Sequence, residues 1–417
     1  MTVDKDLFLY DLAIVAIMKN EASYVKEWLD YHMAAGVDHF FIYDNESPDN
    51  FKEVLQPYID AGIVTYKFYP GTGRQIEAYT EAFKTYRFFC RYMAFIDADE
   101  FIFPQSNKSI SEVIDKILKE NPTAGGVEIS WIMYGSNNLE TADYSKGVLE
   151  RFTYRAKDIS DAVKTVSNPR KIYYMTTPHC PNFFMEYTSM FERDLGSTRK
   201  ILINHYKLKS REEFEAKNKG FVGDVAYGQK DYYNPKQFTH ENDNDVFDDS
   251  ILAYRDARLN IRRRYKNTVN YEKLVTTLMK EIAPIINGNL PPNFGKDKIE
   301  TFLTCRALAT YLKETVLGKE RGEILEKATL KAILLAIMHT RSFSDSELLL
   351  SELTNILPLN YPEVENIRQS CIQIATQMKE RIRNVITDPT KFEYYREFNN
   401  FDNLLRMIQV FEYYSHK

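Results

Sequence analysis

The segment Tyr92-Met-Ala-Phe-Ile-Asp-Ala-Asp-Glu-Phe-Ile-Phe-Pro104 runs an apolar stretch directly into three carboxylates, Asp97, Asp99 and Glu100. In an extended chain, residues i and i+2 point to the same side, which predicts that Asp97 and Asp99 converge. Two carboxylates so placed repel one another unless a cation lies between them. Hard oxygen ligands suit magnesium or manganese held together with a substrate diphosphate. An Asp-x-Asp pair also occurs in plain acidic loops, so the argument rests on its position at the end of an apolar strand.

Two further strand ends carry polar clusters. Lys19-Asn20-Glu21 closes the first apolar run, and Tyr43-Asp44-Asn45-Glu46-Ser47 closes the second. Asn20, Glu21 and Asp44 are candidates for hydrogen bonds to a base or ribose. Turn chemistry for Asn20 and Asn45, and capping for Asp44, are the competing readings. Gly73-Arg74-Gln75 opens a helix, where backbone N–H groups favour an anion and Arg74 would assist. A simple helix-entry turn explains the same residues. Trp131 and Tyr134 offer aromatic faces to a sugar ring, or to the core.

These residues need elements to position them. Residues 12–18 (LAIVAIM) form a short, continuous, β-branched run, as in a strand buried on both faces. In residues 21–35, Val25, Trp28, Leu29, His32 and Met33 share one helical face, and Gly36 ends the helix. Strands are expected at 39–43, 63–68, 92–96 and 126–131, with helices at 47–59, 75–91 and 109–120. This alternation predicts a mostly parallel sheet flanked by helices, with ligands beyond the carboxyl ends of its strands. Short strands are expected at 148–155, 171–175 and 200–203, joined by polar loops. From about residue 248 the pattern is helical: 251–263, 271–286, 298–317, 324–338, 344–356, 364–384 and 391–414. The expected division is an α/β domain over 1–245 and an all-α domain over 246–417. The acidic stretch HENDNDVFDD at the junction lacks the spacing of an EF-hand loop and reads as a linker.

Composition narrows the function. Of 417 residues, 44% are hydrophobic and 27% charged, a globular profile. Lys and Arg number 54 against 59 Asp and Glu, a net charge of -5, which argues against a nucleic-acid coat. Four scattered cysteines give neither a zinc pattern nor a disulfide framework. No run of eighteen apolar residues suggests a membrane span, and the N-terminus lacks signal-peptide features. The expectation is a reduced, cytoplasmic protein. Peripheral contact with the inner face of a membrane, and self-association into a homo-oligomer, stay open.

The stretch IVAIMKNEASYVKEWLDYHMAAGVDHFFIYDNESPDN closely resembles the opening of glycosyltransferases of the family 92 and family 2 type. FIDADEF resembles their Asp-x-Asp-Glu-Phe segment, and Trp131-Ile-Met-Tyr-Gly-Ser136 a later block. Lys164, Asn168-Pro169, Asn204-His205-Tyr206 and Lys209-Ser210-x-x-Glu213-Phe214 follow in the same order. The resemblance covers about residues 12–225.

It implies a GT-A fold, a UDP-linked nucleotide-sugar donor, Mn²⁺ or Mg²⁺, and inversion at the anomeric carbon. It makes Asp99 the expected direct metal ligand, with Asp97 on the metal or ribose, and His205 the expected histidine ligand, ahead of His179. Either histidine also fits a hydrogen-bonded structural role. Lys164 would contact the diphosphate. Arg170 and Lys171 fit the protein surface better than that role. The acceptor hydroxyl needs a carboxylate base: Asp161 is the choice, with Glu186 and Asp143 as competitors and Glu100 supporting the loop or the donor sugar. The acceptor is a glycan, a lipid-linked glycan or a protein. UDP-galactose is the family-biased donor. Two other classes compete. A sugar nucleotidyltransferase would carry a glycine-rich loop after its first strand, where this chain has MKNEAS. A non-catalytic carbohydrate-binding or scaffold protein would not need Asp97, Asp99, Glu100 and His205 together.

Overall fold

A computed structural model describes residues 4–184, 187–196, 198–219, 235–262, 269–286 and 296–339. The helices expected at 344–356, 364–384 and 391–414 lie outside the described residues. The chain divides into two units, residues 10–268 and residues 1–9 with 269–417.

In the first unit β1 (Tyr10–Met18), α1 (Val25–Ala34), β2 (His39–Asp44), α2 (Phe51–Asp60), β3 (Val64–Phe68), α3 (Gln75–Tyr86) and β4 (Cys90–Phe95) alternate as the sequence pattern predicts. Then come β5 (Glu100–Pro104), α4 (Ile110–Glu120), β6 (Ala124–Met133), α5 (Val148–Arg151), β7 (Tyr154–Arg155), β8 (Val163–Ser167), β9 (Ile172–Met175) and β10 (Pro181–Phe183). The unit continues with β11 (Thr188–Phe191), β12 (Ile201–His205), α6 (Arg211–Lys219), α7 (Pro235–Glu241), β13 (Val246–Phe247) and α8 (Ser250–Arg262).

The main sheet has the order β3-β2-β1-β4-β8-β6-β12-β5, with β11 beside β6. The pairs β3-β2, β2-β1, β1-β4, β6-β12 and β6-β11 are parallel; β4-β8, β8-β6 and β12-β5 are antiparallel. Because β1 is buried on both sides, its residues alternate between two cores. Leu12, Ile14, Ala16 and Met18 join the core under α1 and α4, while Ala13 and Val15 join the one under α3. This explains why the run is continuously apolar. Fully buried Trp28, Phe40 and Phe83 each contribute about 1.5–3 kcal/mol through burial.

Local signals set the helix ends. Ser109 and Glu112 form a reciprocal capping box, with Glu112 N–H 3.2 Å from Ser109 Oγ and Ser109 N–H 2.7 Å from Glu112 Oε2. Gly36 ends α1 at φ +102°, and a Cβ there would sit 2.7 Å from that of Ser109.

Two expectations change. Residues 148–151 are helical rather than extended, because the Glu27 carboxylate accepts the Val148 and Leu149 N–H groups. The strands β5 and β8 fall where only loops were expected. The first unit continues to residue 268. Ile251 and Tyr254 of α8 are buried in its core, and Tyr254 Oη donates to the Lys108 carbonyl at 2.9 Å.

The second unit contains α9 (Tyr271–Ile286), α10 (Lys296–Leu312) and α11 (Gly318–His339). Leu274, Leu278, Phe302, Leu308 and Leu330 are buried in it, and Glu326 pairs with Arg306 and Lys313. Among the described residues no helix is long and apolar enough to cross a membrane.

Candidate active site

Strand directions gather the polar residues at one edge. The parallel strands β1, β2, β4, β6 and β12 end there, and antiparallel β5 and β8 begin there. Asn20, Glu21, Asp44, Asp97, Asp99, Glu100, Trp131, Lys164 and His205 therefore share the edge next to the β1–β4 switch of strand order.

Helix α1 props the start of β5. Trp28 Nε1–H donates to the Glu100 carbonyl at 2.9 Å, and Tyr31 Oη to the Ile102 carbonyl at 2.9 Å. His32 Nε2 accepts the Ile102 N–H at 3.3 Å, so Nδ1 carries the proton and donates to the Trp28 carbonyl at 2.9 Å. Burial lowers the His32 pKa to about 3, against the opposing hydrogen bond to Trp28, so the ring is neutral.

The extended geometry that would make Asp97 and Asp99 converge does not persist. The chain turns at residues 97–100, closed by Glu100 N–H on the Asp97 carbonyl at 3.2 Å. Asp97 Oδ1 accepts from Gln75 Nε2 at 2.7 Å and Tyr79 Oη at 3.4 Å, and Oδ2 from Lys164 Nζ at 2.8 Å. Asp99 turns instead to His205 Nε2, 3.4 Å from Oδ1, and to Lys217 Nζ, 2.7 Å from Oδ2. Burial alone would raise the Asp99 pKa, but the charges of Lys217, His205 and Lys209 hold it well below the carboxylate range. Glu100 is fully buried, and burial pushes its carboxyl well above that range despite Lys164 at 3.9 Å. Its Oε2 accepts the Asp97 N–H at 2.9 Å. For Lys164, burial is outweighed by Asp97 and Glu100, which push its pKa up.

No group of three or more His, Cys, Asp or Glu able to hold a metal occurs among the described residues. Asp99 and His205 offer two adjacent positions. That number fits a divalent ion whose shell is completed by substrate phosphates and water. Several atoms at this edge are buried without a partner among the described residues: Glu21 Oε2, Arg74 Nε, Gln75 Oε1, Glu100 Oε1, Trp131 Nε1 and His205 Nδ1. Native proteins rarely leave such groups unsatisfied, and their concentration marks a place for a polar ligand.

Beside Asp99 lies a cavity of about 310 Å³, lined among others by Asn20, Glu21, Tyr24, Tyr144, Lys209 and Lys217. Lys209 sits at φ +56°, buried, with Nζ 4.1 Å from the centroid of the Tyr24 ring and no ion pair among the described residues. Burial lowers its pKa, against the pull of Glu21. Burial raises the Glu21 pKa despite Lys209 and Lys217. The segment around Lys209 is anchored by Glu213, which meets Arg151 at 2.8 Å through both Nη atoms and accepts from Ser210 Oγ at 2.6 Å and Tyr24 Oη at 2.9 Å.

Other expected residues sit as follows. Asp44 caps the loop after β2, taking Ser47 N–H at 2.9 Å and Tyr66 Oη at 2.7 Å. Asn20 has φ +60° and donates its N–H to Ser47 Oγ at 3.1 Å. Arg74 pairs with Glu77 at 2.7 Å and stacks on Tyr69. Asp161 is exposed and paired with Arg193. Asp143 is exposed, accepting from Ser145, and Glu186 lies outside the described residues. Arg170 is not a surface residue: it is buried, with Nη1 2.7 Å from the Cys90 carbonyl at the amino end of β4, away from the site. Lys171 donates to the Pro122 and Ala124 carbonyls. Sequence reasoning gave no role to Lys209, although its Lys-Ser-x-x-Glu block was visible, and it missed Lys217, which carries no local signal.

The sheet order and the site at its carboxyl edge define an α/β unit of the GT-A type. The model of "Glycosyltransferase family 92" matches residues 15–246, more than half of the chain, and the chain belongs to that family. A family 92 protein of Ricinus communis is 24% identical over 210 residues, 50% of this chain and 37% of that protein. One of Oryza sativa subsp. japonica is 26% identical over 226 residues, 54% of this chain and 38% of that protein. A protein of Arabidopsis thaliana named galactan beta-1,4-galactosyltransferase is 25% identical over 243 residues, 54% of this chain and 43% of that protein. The chain thus spans less than half the length of these relatives. Among solved structures, S. aureus TarS aligns with 81% of this chain and 50% of that chain, at 12% identity and a TM-score of 0.26, too low to carry an argument.

Proposed function

We propose that the chain is an inverting, divalent-metal-dependent glycosyltransferase that moves a hexose from a UDP-linked donor to a glycan hydroxyl. The observation that carries this reading is Asp99 Oδ1 facing His205 Nε2 at 3.4 Å beside the cavity that contains Lys209 and Lys217. Asp99 and His205 would hold Mn²⁺ or Mg²⁺, which when bound neutralises the charge gathering on the departing diphosphate. Lys209, buried and without an ion pair among the described residues, brings an amino group suited to a diphosphate oxygen. Lys164 and Gln75 fix the Asp97 carboxylate, a third of whose side chain stays exposed, in reach of a ribose hydroxyl. Glu100, fully buried, holds the turn by accepting the Asp97 N–H. Trp131 offers a ring face to the sugar. The names of relatives support galactose as the sugar and a β-1,4-linked galactan as the acceptor.

A thermal-shift screen of UDP-galactose, UDP-glucose and UDP-N-acetylglucosamine, with and without Mn²⁺, tests the reading. A donor at about 100 times its Kd stabilises the folded state by about 2.7 kcal/mol. The expected result is a rise in melting temperature with UDP-galactose and Mn²⁺ together. No shift with any nucleotide sugar, or a shift only with nucleoside triphosphates, rejects it.

A further inference from the structure

We propose that His179 is the general base of the reaction, accepting the proton of the acceptor hydroxyl at Nε2; this rests on the glycosyl-transfer reading above. The turn between β9 and β10 fixes His179 at four points. Its N–H donates to Thr177 Oγ1 at 3.4 Å, and its carbonyl accepts from Thr165 Oγ1 at 2.8 Å. Its Nδ1 lies 2.9 Å from the Val163 carbonyl, and its ring packs 5.4 Å from Trp131, centroid to centroid. A carbonyl only accepts, so Nδ1 carries the proton and Nε2 keeps the lone pair. Nε2 has no partner among the described residues, and the residue is half-buried at the edge where β8 begins. A base held this firmly with its lone pair free is already arranged for proton transfer.

Trp131 relates this base to the rest of the site. His205 packs against the same indole edge-on, with centroids 4.4 Å apart. Trp131 thus contacts His205, on the side of the leaving diphosphate, and His179 as well. Inversion requires the attacking hydroxyl and the leaving group to lie on opposite sides of the anomeric carbon. On this assignment the sugar sits at Trp131 with His179 on the side opposite the diphosphate, and the buried Trp131 Nε1–H has no partner among the described residues. The acceptor O–H gives its proton to Nε2, and its oxygen bonds to the anomeric carbon. The bond from that carbon to the diphosphate oxygen breaks, its electron pair staying on the diphosphate. The imidazolium then returns the proton to solvent. Asp161, exposed and already engaged by Arg193, lacks both the fixed position and the free acceptor.

The test compares wild type with H179N, H179Q and H179A, using UDP-galactose, Mn²⁺ and a β-1,4-galactan oligosaccharide. Asn keeps a donor for the Val163 carbonyl and removes the Nε2 lone pair; Gln is the alternative if H179N does not fold. The expected loss in kcat is about 10²–10⁴-fold, with UDP affinity by calorimetry within about two-fold of wild type. Added imidazole restores part of the lost rate in H179A. A kcat within about three-fold of wild type, or an equal loss of UDP affinity, overturns the assignment. Wild type that transfers from no nucleotide sugar rejects glycosyl transfer itself, and the base with it.

Discussion

Lys217 Nζ lies 2.7 Å from Asp99 Oδ2, so the carboxylate best placed to hold a metal is already matched by an ammonium group. The lysine comes from α6, more than a hundred residues further along the chain, and its side chain is about one-third exposed. Divalent cation and lysine compete for one charge. Replacing Lys217 with Met is therefore expected to tighten Mn²⁺ binding in the absence of nucleotide by about ten-fold or more, the scale of about 1.4 kcal/mol. Calorimetric titration of Mn²⁺ into both proteins measures it; unchanged affinity rejects the competition.

Trp28 supports the turn from behind. Its indole N–H is the donor for the buried Glu100 carbonyl, so Trp28→Phe keeps most of the volume and orphans that oxygen. The expected loss of stability is about 1–3 kcal/mol, measured by urea unfolding, with weaker UDP binding because β5 begins at Glu100.

Arg151 and Glu213 form a buried bidentate pair, 3% and 1% exposed. Burial would raise the Glu213 pKa, but Arg151 and Ser210 outweigh it and hold it at about 2. A depressed carboxyl stabilises the fold above its ordinary range and loses that contribution as pH falls toward 2. Unfolding free energy is expected to fall between about pH 4.5 and 2. In Glu213→Gln this slope flattens, and stability near neutral pH drops by about 3–5 kcal/mol because Arg151 is left uncompensated.

His32 acts at higher pH. The unfolded chain takes up a proton near pH 6.5, while the folded ring resists until about 3. Stability is complete above 6.5 and declines as pH falls; His39, lowered to about 4 by burial, adds in the same direction. Between pH 7.5 and 5, His32→Asn is expected to lose roughly 2 kcal/mol less than wild type in urea unfolding. An identical slope contradicts the buried neutral ring.

The alternation of β1 through β4 with α1 to α3 was legible because each strand and helix declares itself within a dozen residues. So was the buried face of α1. What periodicity does not carry is where Trp28, Tyr31 and His32 send their polar atoms, since the partners are seventy residues away in β5. The strand β5 itself was hidden: its five residues follow an acidic turn, and their pairing with β12 depends on a segment a hundred residues later. The turn at residues 97–100 also defeated the i, i+2 argument. Asp97 and Asp99 were singled out by residue type, but their partners, Lys164 and Gln75 for one and His205 and Lys217 for the other, are set by the tertiary fold. Arg170 reads as an ordinary surface cation in the sequence; its place among the carbonyls at the start of β4 is visible only once the strands are assembled.

The most direct measurement of the central claim is calorimetric titration of UDP into wild type and Asp99→Asn, each with Mn²⁺ and with chelator. The account predicts that wild type binds UDP at least about ten-fold more tightly with Mn²⁺, and that Asp99→Asn loses this gain while keeping its melting temperature. UDP binding of equal strength in chelator, or an undiminished Mn²⁺ effect in Asp99→Asn, would contradict it.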